Sequence, residues 1–181
     1  MKFIPFRPGR FVNHRQLGVA AVEFALVCLL FFTLLFAILE FGRLLYVFNT
    51  MQEVTRHAAR EATVSWIDKV AIIKQNALFG NGAIPAGAEV AAANILIEYL
   101  NKAGSVVTTL PTDPSDNLSA CNDITRVQSC IYSVRVSIVD SDKSGNGVFY
   151  TPTVSLFSIL HIRLPISTVT IHAESLGFTN S

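Results

Sequence analysis

Charge is scarce in this 181-residue chain: Asp, Glu, Lys and Arg make up 15% of it against 51% hydrophobic residues, and the mean hydropathy is +0.46. That balance lies on the apolar side of an ordinary soluble domain and calls for a membrane-embedded segment. The first 18 residues lack any acid while carrying Lys2, Arg7, Arg10 and Arg15. The remainder holds 10 basic against 13 acidic side chains and is therefore net negative, which argues against a nucleic-acid-binding surface. Between Val19 and Phe79 there is no proline and a single glycine, Gly42, so little in that stretch stops a helix. The four histidines are scattered, and no H-E-x-x-H, G-x-S-x-G or P-loop pattern occurs. No catalytic residue, metal site or cofactor is expected.

What the chain does have is one long apolar run. Residues 19–39 number 21 and carry a single charged side chain, Glu23, where roughly 20 apolar residues suffice to cross a bilayer as a helix. A later apolar stretch, 154–166, is too short and is broken by Ser155, Ser158, His161, Arg163 and Pro165. The basic residues ahead of the run outnumber those just behind it, Arg43 and Arg56, which lie among Glu40 and Glu53, so the N-terminus is expected in the cytoplasm. A secretory signal would show an A-x-A-like pattern of small residues at a cleavage site after its apolar core, and 41–53 shows no such pattern, so the apolar segment is expected to stay attached.

A carboxylate five residues past Gly18, at the mouth of an apolar run, is costly and needs a reason beyond anchoring. The order of basic leader, Gly18, Val19, Glu23, Phe24 and long apolar run resembles a type IV prepilin. That resemblance implies cleavage between Gly18 and Val19 by a prepilin peptidase. The new ammonium group at Val19 would then lie about 6 Å along the helix axis from Glu23. It also implies that the Glu23 carboxylate of one subunit pairs with the N-terminus of a neighbour during assembly, since unpaired burial would cost several kcal/mol. The alternative is a plain anchor with Glu23 at the membrane boundary.

The segments Gly18-Val-Ala-Ala-Val-Glu-Phe-Ala-Leu-Val27, Ile38-Leu-Glu-Phe-Gly-Arg43 and Val54-Thr-Arg-His-Ala-Ala-Arg-Glu-Ala62 further resemble TadE-like pseudopilins, with a looser likeness at Phe149-Tyr-Thr-Pro152. That family implies a minor component of a tight-adherence (Flp) pilus system in the bacterial inner membrane, acting in pilus assembly and surface attachment. The partners implied are the prepilin peptidase, other pilins or pseudopilins, the inner-membrane assembly platform and membrane lipid. Glu40, Phe41, Gly42 and Arg43 form a motif at the membrane exit. Cys28-Leu29-Leu30 stands where such sequences often carry a proline. Two other readings stand beside this one: a major fibre subunit or secretion-system pseudopilin, and an uncleaved single-span protein presenting a periplasmic binding domain.

Beyond the span, Val47, Met51, Val54, Ala58 and Ala62 recur at helical spacing, with Glu53, Arg56, His57, Arg60 and Glu61 elsewhere around the helix. An amphipathic stalk results. From Val19 to about Trp66 the helix would run roughly 70 Å. A break at 80–87 precedes an expected short helix over 89–102, then expected strands at 106–110, 131–139 and 166–174, with a further one at 148–154. Cys121 and Cys130 enclose a ten-residue segment and, in a periplasmic domain, are expected to pair, which would contribute roughly 2 to 4 kcal/mol. Asp140, Asp142 and Ser144 imitate the start of a calcium loop, but Thr151 stands where its bidentate glutamate belongs, so a solvated hairpin connection through Asn146-Gly147 is expected instead. The expectation is an α+β chain: leader 1–18, transmembrane helix 19–39, stalk helix region 40–79 and periplasmic domain 80–181, with a long N-terminal helix packed on a small antiparallel sheet.

Overall fold

The computed structural model describes residues 15–142 and 144–178, with side chains from Gly18 onward. Residues 1–14 of the basic leader, with Lys2, Arg7 and Arg10, lie outside the described residues. The chain divides into two compact units at Leu39/Glu40.

The described part of the first unit is helix. It belongs to α1 (Arg15–Val64), which contains a segment long and apolar enough to cross a membrane. Nearly every side chain from 18 to 39 is exposed, and only Cys28, Thr33 and Ala37 are half-buried. The one hydroxyl in the apolar run is satisfied internally: Thr33 Oγ1 donates to the Leu29 carbonyl at 2.7 Å, as a polar group facing lipid must. Phe32 stacks on Phe36 one turn on.

In the second unit α1 continues and becomes amphipathic. Leu44, Val47, Met51, Val54, Ala58 and Ala62 are buried, and Thr55, Ala59 and Thr63 widen the stripe, while Glu53, Arg56, His57 and Arg60 are exposed. The stripe faces the protein's own core, which also holds Ile95, Tyr99, Val134, Val136 and Ile138. These come from an antiparallel sheet in the order β3 (Ile95–Leu100), β4 (Ser133–Ile138), β5 (Ser167–His172). The register pairs Ile97 with Val136 and Val136 with Val169, so one face collects the apolar side chains. Thr55 Oγ1 meets Ser167 Oγ at 2.9 Å between that face and α1. On the opposite face Glu98 and Arg135 sit directly across from each other.

α1 ends at Val64, where the Thr63 carbonyl accepts from the backbone N–H of Glu174 (3.2 Å) and Leu176 (3.1 Å), giving an orphan helix-end carbonyl partners from the C-terminal segment. A 3-10 turn and α2 (Val70–Ala77) follow, then a hairpin of β1 (Ala83–Ile84) and β2 (Gly87–Ala91).

Four expectations need correction. The segment 89–102 is not a helix: β2, a 3-10 turn and β3 occupy it. Ile95, Ile97 and Tyr99 share one strand face and match β4, a period of two that outweighs helix propensity. The segment 106–110 forms only an isolated bridge, Leu100 to Val106, after a turn at Gly104 (φ +80°). The segment 148–154 likewise makes one bridge, Phe149 to Arg163. Finally, α3 (Pro114–Asn122) lies between the segments expected as strands at 106–110 and 131–139, where no helix was expected; Asp113 caps it by accepting from Asp116 N at 2.8 Å, with Pro114 at its first position.

Candidate functional site

Two groups of side chains on α1 carry the candidate functions. The first lies at its start. The Gly18–Val19 bond lies close to the start of the described part of α1. Gly18, Val19 and Glu23 are exposed, and a Cβ at Gly18 would meet nothing within 4 Å. Among the described residues, no hydrogen bond or ion pair engages Glu23.

The second group lies where the apolar run ends. Glu40 is 3% exposed, an extreme burial for a carboxylate. Its Oε1 accepts from Tyr150 Oη at 2.5 Å, from Thr153 N at 3.1 Å and from Arg43 Nη1 at 3.3 Å. Arg43, three residues on and so on the same helix face, spends all five of its N–H groups. Nε donates to the Ala86 carbonyl (2.7 Å), Nη1 to Thr151 O (2.9 Å) and to Glu40, and Nη2 to both Glu89 oxygens (3.1 Å each). Its Cζ also lies 4.8 Å from the centroid of the Tyr150 ring. One arginine thus joins α1, the β1–β2 hairpin and the 150–153 segment.

Local structure delivers these partners. The turn Ile84-Pro85-Ala86-Gly87 joins β1 to β2 with Ala86 at φ 56°, the left-handed position of a type II turn, which costs an L-residue about 1 kcal/mol. The Ala86 carbonyl of this strained turn accepts from Arg43. At Gly87 a Cβ would come within 3.0 Å of Val47 Cγ2, so glycine permits the close approach of hairpin to helix.

The electrostatics follow from burial and from these bonds. Burial pushes the Glu40 carboxyl up, but Tyr150, Thr153 and Arg43 together outweigh it and hold the group below the usual carboxylate range. Burial, and then the bond to Glu40, push the Tyr150 phenol up to about 12. Arg43 is held above its ordinary value: burial opposes the cation, but Glu89 and then Tyr150 and Glu40 prevail. The cluster is a charged clamp whose members are mutually saturated, suited to fixing a chain position and not to proton transfer.

Of the exit motif, the structure brings Glu40 and Arg43 together and leaves Phe41 and Gly42 exposed, with open space around a Cβ at Gly42. Glu89, Tyr150, Thr151 and Thr153 were missed as partners; the looser likeness at Phe149-Tyr-Thr-Pro152 was the available signal. Cys121 and Cys130 are joined as a disulfide, with Cα atoms 4.8 Å apart, and Cys28 is a free thiol. His161 and His172 pack edge-on against Phe149 and Tyr132. Among the described residues, no group of three His, Cys, Asp or Glu side chains could hold a metal ion.

No curated protein and no solved structure matches this chain. A protein-family model, that of the TadE-like proteins, matches residues 18–60. That segment begins at the glycine ahead of the apolar run, includes Glu23 and the Glu40–Arg43 pair, and ends within the buried stripe of α1. Through that segment, about a quarter of its length, the chain is similar to TadE-like proteins.

Proposed function

We propose that this protein is a minor pseudopilin of a tight-adherence pilus system, acting in pilus assembly and surface attachment. A prepilin peptidase hydrolyses the Gly18–Val19 bond, leaving a mature chain that begins at Val19 and keeps its membrane helix. The protein is a substrate and a building block and not itself an enzyme. It crosses the inner membrane once, with residues 40–181 on the periplasmic side, where Cys121 and Cys130 meet an oxidising environment. Its partners are other pilins or pseudopilins and the inner-membrane assembly platform.

The observation that carries this reading is the TadE-like match beginning at Gly18, five residues ahead of a glutamate inside an apolar helix. Glu23 finds no partner among the described residues, while every other demand along the run is met within the helix. An intermolecular partner, the Val19 ammonium of a neighbour, fits that demand. The experiment is N-terminal sequencing of the protein recovered from its native membrane, with and without an active prepilin peptidase. A start at Val19 that depends on the peptidase is the expected result. A start at Met1 in both cells overturns processing and favours an uncleaved anchor for a binding domain.

A further inference from the structure

We propose that the loop formed by residues 151–161 inserts its apolar tip into the outer surface of the lipid bilayer that holds α1, giving the protein a second membrane contact. The inference rests on the reading of residues 19–39 as a membrane span.

The loop is clamped at its base. Tyr150 N donates to Ile162 O at 2.9 Å, and Phe149 bridges to Arg163 just outside it. The first strand of the loop is bonded to the Glu40 clamp through Thr151 O and Thr153 N. Glu40 directly follows the apolar run in sequence, so these bonds hold the loop base within hydrogen-bonding reach of the residue where the helix leaves the lipid. From Thr153, Leu156 and Ile159 are three and six residues on, within about 20 Å at most.

The tip has the chemistry of an interfacial contact. From Val148 to Leu160 no residue is charged, and His161 is the loop's only titratable side chain. Leu160 packs against the core and fixes the turn, while Leu156 and Ile159 stand 65% and 85% exposed. Ser155 and Ser158 alternate with them, a pairing of hydroxyls and aliphatics that suits the boundary between headgroups and acyl chains. Phe41 and Tyr46, exposed on the first two turns of α1 after the run, are aromatic side chains of the kind that collect at this level. Ile124 is more exposed still, at 90%, but lies beside the Cys121–Cys130 disulfide, at the end of the sheet that meets Thr63. Thr63 is about 35 Å along α1 from Glu40. Exposure alone therefore does not define the contact; exposure beside Glu40 does.

The test uses the full chain in vesicles of phosphatidylethanolamine and phosphatidylglycerol with brominated acyl chains, which quench tryptophan. Trp66 is the only tryptophan and is replaced by Phe. If that lowers the melting temperature, the same variants are read against Trp66 as a constant background. Single tryptophans are then placed by Leu30→Trp, Ile159→Trp and Ile124→Trp. The expected result is strong quenching at 30, at least twofold more quenching at 159 than at 124, and a blue-shifted emission at 159. Quenching at 30 with 159 no different from 124 overturns the loop contact and leaves the span standing. No quenching at 30 removes the span reading and the inference with it. A blue shift at 159 that appears only at high protein-to-lipid ratio, without quenching, assigns the tip to a neighbouring protein and overturns the proposal.

Discussion

Tyr150→Phe isolates the clamp with the least disturbance of packing. The phenol is fully buried, and its oxygen donates to a carboxylate at 2.5 Å; phenylalanine keeps the ring over which Arg43 lies. Hydrogen bonds to charged groups contribute about 1.5 to 3 kcal/mol, and Glu40 would retain Thr153 N and Arg43, so the loss should be about 2 kcal/mol. For a folded unit of this size that corresponds to a fall of roughly 6 to 8 °C in melting temperature, read by near-ultraviolet circular dichroism on the full chain in detergent micelles. Tyr46→Phe, at an exposed position, is the control and should change nothing. Equal melting temperatures for the two variants would refute the clamp as a stabilising device.

The pH dependence gives a second reading of the same bond. Glu40 titrates lower in the folded protein than its unfolded value of about 4.3, so its contribution is present above that value and is lost as pH falls through the lowered folded one. Tyr150 is displaced the other way: its contribution is complete below the unfolded value of about 10 and is lost as pH rises toward about 12. Tyr150→Phe should therefore shrink the acid-side loss and abolish the phenol's part of the alkaline one. A variant whose acid limb matched that of the native chain would show that Tyr150 does not hold Glu40 ionised.

At Gly147 a Cβ would run into the Leu164 carbonyl, a backbone atom that cannot swing aside, so Gly147→Ala should destabilise by about 3 kcal/mol; an unchanged melting temperature would show that the 147–164 approach is looser than described. Cys121→Ser with Cys130→Ser opens a ten-residue loop and should cost about 2.7 kcal/mol by the loop-entropy relation, measurable as a melting shift that reductant reproduces in the native chain. Gly42→Ala places a methyl group in open space on an exposed helix and should raise stability by about 1 kcal/mol; if pilus formation falls while stability rises, bending at Gly42 is part of assembly. Glu23→Ala should leave stability within about 0.5 kcal/mol of native, because no described residue bonds to Glu23, yet reduce recovery of the protein with assembled pili; normal recovery would remove its role in register.

The helix was the most legible part of the chain because its signals are local. Val47, Met51, Val54, Ala58 and Ala62 announce a buried stripe by spacing alone, and all five are fully buried. The sheet was half legible. β4 and β5 carry β-branched residues at alternate positions, whereas Ile95-Leu-Ile-Glu-Tyr-Leu100 is apolar enough to pass for a helix and is made a strand by its pairing with β4. The Asp113-Pro114 start of α3 was legible, since the cap and first-turn proline stand side by side, but the surrounding run of Thr, Asp, Pro and Ser reads equally as loop. Half of the clamp could be read from Glu40 and Arg43, three residues apart. Tyr150, Thr151 and Thr153 lie more than 100 residues away, and only the fold brings them to α1.

The two carboxylates bounding the apolar run of α1 meet opposite fates. Both stand where a charge is expensive: Glu23 near the start of the run and Glu40 immediately after it. Glu40 is neutralised inside its own chain, with three donors on one oxygen and an arginine whose remaining bonds reach two further segments. Its ionisation therefore holds the domain together whether or not a second subunit is present. Among the described residues Glu23 receives no such donors, and its exposed neighbours Val19, Val22, Phe24, Leu26 and Val27 are apolar. Among the described residues the charge at 40 is answered and the one at 23 is not, so only the first contributes to the stability of the fold. The TadE-like segment contains both positions, whereas Tyr150 and Glu89 lie outside it. The matched segment thus holds the helix-borne half of the clamp, and the domain that follows supplies the other half.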